Sequence, residues 1–214
     1  MQHETRHLSK DNISKIENAV KDILEALGAD LKNQDIAETP DRVARMYDEV
    51  FEGMRYSNKE IAQMFDRCFE TAKATDMVCL TDIDTFSYCE HHLALMYNMK
   101  VHVAYVPRRK IIGLSKIPRI VDMVCKRLQL QEKIGNDIAD ILEMILGTKD
   151  IMFVIEGEHS CVTTRGIRKP GTVPTTMCVR GLFNKNENLK IFTQAQVFRL
   201  LCVIFPLPTP NSLP

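Results

Sequence analysis

Residues 78–115 read VCLTDIDTFSYCEHHLALMYNMKVHVAYVPRRKIIGLS, and this stretch decides the fold. Within it VCLTDIDTFSY (78–88), KVHVAYVP (100–107) and KIIGLS (110–115) are short runs of β-branched and aromatic residues broken by polar residues and proline. That texture predicts antiparallel strands. After Ser115 the apolar period changes to 3.6. Ile117, Ile120, Val121 and Val124, then Ile134, Ile138, Ile141, Leu142 and Ile145 up to Gly147, predict two long helices in succession. Strand character returns in DIMFVIEGEHSC (150–161) and TTMCVRGLF (175–183), around a Gly- and Pro-bearing segment from Arg165 to Pro174.

Upstream, Ile13, Ile16, Val20, Ile23, Leu24 and Leu27 form an amphipathic helical stripe that closes at Gly28. A second helix is expected from Thr39-Pro40, with the Thr39 hydroxyl as its cap and Val43, Tyr47, Val50 and Phe51 on one face before Gly53. Arg42 and Arg45 share another face. Residues 55–75 read as connections with one short helix. Helices, strands, a helix pair and strands again predict an α+β fold, with an antiparallel sheet carrying the long helices on one face. Three regions are expected: an N-terminal helical segment (1–75), the sheet domain (76–190) and an atypical tail (191–214) whose apolar VFRLLCVIF run precedes four prolines. Long apolar strands present edges that must be covered or paired, so association between copies is expected.

Lys plus Arg equals Asp plus Glu at 28 each, so no global basic field makes nucleic acid or an anionic membrane the default partner. No apolar run approaches the roughly 18 residues of a membrane helix, and the opening MQHETRHLSKDN lacks a secretory core, so a soluble, cytoplasmic protein is expected. Seven scattered cysteines argue against a disulfide framework. Cys68, Cys79, Cys125, Cys178 and Cys202 read as small buried hydrophobes.

Cys89-Glu90-His91-His92 follows one predicted strand, and His159-Ser160-Cys161 ends another. Thiolate and imidazole are ligands that zinc favours. Cys89, His92 and Cys161 would fill three of four tetrahedral positions and leave one for water, as in catalytic sites. His91 and His159 would then stand beside the metal, free for proton transfer. On spacing alone, core thiols and hydrogen-bonded histidines are an equal alternative, and a closed site completed by Cys125 or Cys178 a lesser one. His102, between Val101 and Val103, reads as an outward polar position. Ser115-Lys116 opens a helix whose next turn carries Arg119, and a helix N-terminus with a hydroxyl and two cations suits a phosphate. Arg165 begins a further cationic run just past Cys161. Gln131-Glu132 reads, on physics alone, as a first turn whose acid favours the helix dipole.

At these residues the sequence resembles the GTP cyclohydrolase I family. The matching segments are Glu38-Thr39-Pro40-Asp41-Arg42-Val43-Ala44, Asp82-Ile83-Asp84, Cys89-Glu90-His91-His92, Gly113-Leu114-Ser115-Lys116, Gln131-Glu132, His159-Ser160-Cys161 and Arg165-Gly166, in the family's order. The resemblance implies a tunnelling fold (T-fold) for 76–190, assembled as a homodecamer with sites at subunit boundaries. It also implies the reaction: GTP and water give formate and 7,8-dihydroneopterin triphosphate through attack on purine C8 by zinc-activated water, ring opening, ribose rearrangement and pterin closure. By the same resemblance Cys89, His92 and Cys161 hold Zn2+, and His91 and His159 act as acid and base. Glu132, with Gln131 beside it, receives guanine N–H groups. Ser115, Lys116, Arg119 and Arg165 contact the triphosphate, and Arg42 and Arg45 are cations given by a neighbouring subunit. Ile191 to Pro214 departs from the family's usual short charged ending. The alternative is a non-catalytic pterin- or purine-binding T-fold protein with structural zinc. Nothing in the sequence speaks to a feedback regulatory protein.

Overall fold

The strand pair that carries the CEHH segment is the centre of the architecture. In a computed structural model, which describes residues 5–70 and 76–197, β2 (Val78–Cys89) and β3 (Ala94–Tyr105) run antiparallel from Val78 opposite Tyr105 to Cys89 opposite Ala94. The turn between them is therefore Glu90–Leu93. It closes with Leu93 at φ 51°, a left-handed conformation rarely taken by a branched side chain. β6 (Ile151–His159) lies antiparallel on the other edge of β3, from Met96 opposite His159 to Tyr105 opposite Ile151, and β7 (Thr175–Val179) lies beyond it.

Three sequence expectations change here. β3 begins at Ala94, six residues before KVHVAYVP, because its first half completes the hairpin with β2. KIIGLS contributes only β4 (Lys110–Ile112), which leaves the main sheet and pairs with β1 (Cys68–Glu70) in a two-stranded ribbon. The main sheet is not wholly antiparallel. β5 (Leu128–Gln129) adds a parallel edge beside Tyr88 and Cys89, giving the order β5-β2-β3-β6-β7.

The helix pair is α5 (Lys116–Cys125) and α6 (Gln131–Leu146), and α6 ends at Gly147 in the left-handed conformation that glycine adopts at low cost. Both lie on one sheet face. Ile117, Ile120, Val121, Ile134, Ile138, Ile141 and Leu142 are buried there against Met96, Met99, Val101, Val103 and Phe153. On the other face Ala104, Met152 and Val154 pack under Phe183 and Val197, from α8 (Leu182–Lys185) and α9 (Glu187–Val197). His102 lies in the same alternation as Ala104. Because chain returns across this face, His102 is only 3% exposed, with its Nδ1 accepting from the Asp82 backbone N–H at 3.2 Å, where the sequence predicted an outward position.

At the N-terminal end, Ser9 caps α1 (Lys10–Ala26) by accepting from the Asn12 N–H at 3.2 Å. The apolar stripe of α1 leans on α3 (Thr39–Val50) but buries no residue fully. Glu38, with helical φ and ψ, stands at the N-cap of α3, so Thr39 is already inside the helix and its hydroxyl is not the cap. Between these helices lies the short α2 (Gln34–Ala37). Past a 3-10 turn over Glu52–Arg55, α4 (Asn58–Met64) is the one short helix expected, closed by a Ser57/Glu60 capping box. Of the tail expected from 191, residues up to 197 complete α9; the rest of it, with Cys202, lies outside the described residues. Among the described residues no helix is long and apolar enough to cross a membrane.

Candidate metal centre and active site

Strand register brings the two Cys/His segments together. Cys89 is the last residue of β2, and His92 sits in the tight turn that follows. Because Met96 pairs with His159, the chain leaving β6 emerges beside this turn, where α7 (Ser160–Thr163) carries Cys161. The sulfurs of Cys89 and Cys161 and one ring nitrogen of His92 all lie within 4.8 Å of one another, the Cys89 side buried and the His92 side open. Tetrahedral zinc with these donors asks for separations of roughly 3.5–3.8 Å, so modest side-chain closure suffices. Burial pushes the Cys161 thiol up, and the adjacent Cys89 sulfur pushes it further, against Arg165. Two sulfurs this close, with an imidazole alongside, form a donor set that a soft divalent cation would satisfy. Arg165 Nη1 approaches His92 Nε2 at 2.7 Å, and the His91 ring stands edge-on to that of His92.

The first turn of α6 supplies the next layer. Gln131 is buried, and its Oε1 lies 2.7 Å from His159 Nε2. Burial holds the His159 imidazole below its usual range, while the nearby Glu132 carboxylate acts the other way. Glu132 itself is exposed. Lys133 donates to both oxygens of Glu90 at 3.0 Å, which ties the turn carrying His91 and His92 to α6. The sequence held both residues of this clamp but no local signal that pairs them, since a contact between a turn and a distant helix follows from neither charge pattern nor period.

The remaining candidates are not brought to this cluster within one chain. Eleven residue steps of β3 span roughly 36 Å. Its Ala94 end carries Cys89, whereas its Tyr105 end lies beside Ile112 of β4, from which Gly113–Ser115 leads into α5. Ser115, Lys116 and Arg119 thus open α5 at the end of the sheet remote from the thiols, and only the helix C-terminus returns, where the Cys125 carbonyl accepts from Ser87. Ser115 does not cap α5, and the Lys116 ammonium is turned to the carbonyls of Phe65 and Arg67. Arg42 and Arg45 face solvent from α3, each paired with an acid one turn earlier, Glu38 and Asp41. Cys125 is fully buried, its thiol pushed up to about 12 by desolvation, and stands outside the Cys89 group, as does Cys178, which contacts Asn136.

A helix-backed sheet that carries at one end a two-thiol, one-imidazole group able to hold a metal ion is the arrangement expected of a T-fold protein. Comparison with known proteins is specific. The family model described as GTP cyclohydrolase I matches residues 16–197. A protein named GTP cyclohydrolase 1 from Clostridium botulinum (strain Kyoto / Type A2) is 57% identical over 193 residues, covering 86% of this chain and 98% of its own length. Proteins of the same name from Clostridium acetobutylicum and Clostridium beijerinckii are 53% and 52% identical, over 81% and 85% of this chain and 91% and 94% of their own. The chain belongs to the GTP cyclohydrolase I family.

Proposed function

We propose that this chain hydrolyses GTP to formate and 7,8-dihydroneopterin triphosphate, the first step of pterin biosynthesis, with Cys89, His92 and Cys161 holding zinc. Membership of the family supports the reaction. The observation that carries the residue roles is the convergence of the three donors with His91, His159 and Glu132 at one end of the sheet. Bound zinc would supply Lewis acidity and an activated water. The other residues bind, orient and move protons. Glu132 accepts from two guanine N–H groups, a pair of donors that adenine does not offer. His91 and His159 protonate the imidazole ring of the purine as it opens, and later move protons at the ribose carbons and oxygen. Arg165 reaches the triphosphate from the same end.

Ser115, Lys116 and Arg119 complete the anion seat, and their remoteness from the thiols supports a site closed by a second copy. Arg42 and Arg45 are likewise assigned to a neighbour's site. A homo-oligomer follows, with the decamer as the form the family resemblance implies, working in the cytoplasm.

The test is incubation of the metal-replete, full-length oligomer with GTP. Formate should appear, and oxidation with dephosphorylation should yield fluorescent neopterin. Chelation should abolish turnover and zinc restore it. His91→Ala and His159→Ala should lower turnover with zinc still bound. GTP binding without product would establish the non-catalytic alternative instead.

A further inference from the structure

We propose that Gln131 is a positioning residue that fixes the tautomer of His159, holding a proton on Nε2 and leaving the lone pair of the neutral ring on Nδ1. The inference rests on the reading in which His159 moves protons, and it names the ring atom that does so. The side chain of Gln131 is 2% exposed. Its amide nitrogen lies 3.0 Å from the carbonyl of Ile155, 3.1 Å from that of Pro174 and 3.3 Å from Thr176 Oγ1. Carbonyl oxygens only accept, so the NH2 group must face them; turning the amide over would set its oxygen against two carbonyl oxygens in a buried place. The amide oxygen is thereby left facing His159 Nε2 at 2.7 Å. That oxygen also only accepts, so Nε2 must donate.

The three acceptors belong to β6, β7 and the approach to β7, and Gln131 itself opens α6. The sheet thus orients an amide, and the amide orients a ring. An imidazole with Nε2 protonated takes up and gives back a proton only at Nδ1. The role given to Gln131 is exercised through the histidine and predicts a loss in turnover, not in substrate affinity.

Magic-angle-spinning NMR of the zinc-loaded, 15N-histidine-labelled oligomer reads the protonation of each ring nitrogen directly, with the His159 signals assigned by their absence from His159→Asn. The neutral His159 should show Nε2 protonated and Nδ1 bare. In Gln131→Met, which keeps length but replaces the amide oxygen with a thioether that accepts only weakly, the His159 signals should move to the other tautomer or a mixture. Turnover should fall about 10- to 100-fold, by analogy with the loss of residues that orient metal-bound histidines, with KM within about twofold. A neutral wild-type His159 protonated at Nδ1 overturns the proposal, whether or not the variant folds. So does a folded, zinc-bound Gln131→Met with unchanged tautomer and turnover. If His159→Asn retains full activity, the proton-transfer reading fails while the tautomer result still stands or falls by the spectrum.

Discussion

Arg127 belongs to no motif, yet the structure predicts that its loss is felt throughout the end of the sheet that carries the candidate site. Its side chain is 13% exposed and uses all three guanidinium nitrogens. Nη1 donates to Asp137 Oδ2 and Asn58 Oδ1 at 2.8 Å each, Nη2 to the Tyr56 carbonyl at 2.9 Å and Nε to the Gly53 carbonyl at 3.1 Å. Its own carbonyl accepts from Ser87 in β2. One residue thus joins the 3-10 turn, α4 and α6 to the loop that leads through β5 into Gln131. Arg127→Met keeps much of the alkyl stem and removes every donor. Losing the charge-assisted bond to Asp137 costs about 1.5–3 kcal/mol, and leaving the two carbonyls without this partner about 0.5–1.5 kcal/mol each. Water reaches Asp137, which is 30% exposed, so the lower half of that span applies and the net cost is about 3 kcal/mol. For a chain of this length that is a fall in Tm of about 6–12 °C. Differential scanning calorimetry at matched protein and zinc concentration measures it. A fall below about 2 °C would refute the claim that this network holds the segments together.

Gly53 sits where a side chain has no room: a Cβ there would stand 2.0 Å from the Met123 carbonyl oxygen and 2.9 Å from that of Lys126, both backbone. Gly53→Ala should cost about 3 kcal/mol or prevent folding, read by urea unfolding against wild type. Glu60 accepts from the Ser57 backbone and hydroxyl and from Arg6, which holds its carboxyl down at about 2 against an ordinary 4.5. A depressed folded-state value stabilises above the unfolded value and is lost on acidification, so stability should decline from about pH 4.5 towards pH 2. Glu60→Gln should flatten that acid limb in Tm-against-pH scans; an unchanged slope would remove Glu60 from the account.

The sheet and its helix pair were legible because period is a local property: the stripes from Ile117 to Val124 and from Ile134 to Ile145 face the core as read. Partner choice was not. That β4 joins β1, that β5 adds a parallel edge and that His102 is covered all follow from chain segments distant in sequence. The same division runs through the site. Cys89, His92 and Cys161 were readable as donor types, but their meeting depends on the register that sets Met96 against His159. A slip of one residue would turn every side chain of the slipped strand to the opposite face and separate the donors. The capture of the Gln131 amide was not legible, since its three acceptors lie on two strands and the approach to one of them, invisible to any helical pattern.

The separation of the two halves of the candidate site leads to a prediction that one chain cannot satisfy alone. The thiols, His159 and Glu132 stand at one end of the sheet, while Arg119 lies exposed near the start of α5 at the other. If each site takes its metal half from one chain and its α5 anion half from a neighbour, His159→Ala and Arg119→Ala damage different chains of the same site. Each variant oligomer alone should then be nearly inactive. Coexpressed in equal amounts and randomly mixed, about one site in four would draw both halves from undamaged contributors, as heterologous pairing in a closed ring requires. GTP turnover in the mixed oligomer should recover to roughly a quarter of wild type. If both halves came from one chain, no arrangement of the mixture would contain an intact site. Activity no higher than that of the separate variants, in an oligomer shown by mass spectrometry to contain both, would therefore place the anion seat elsewhere.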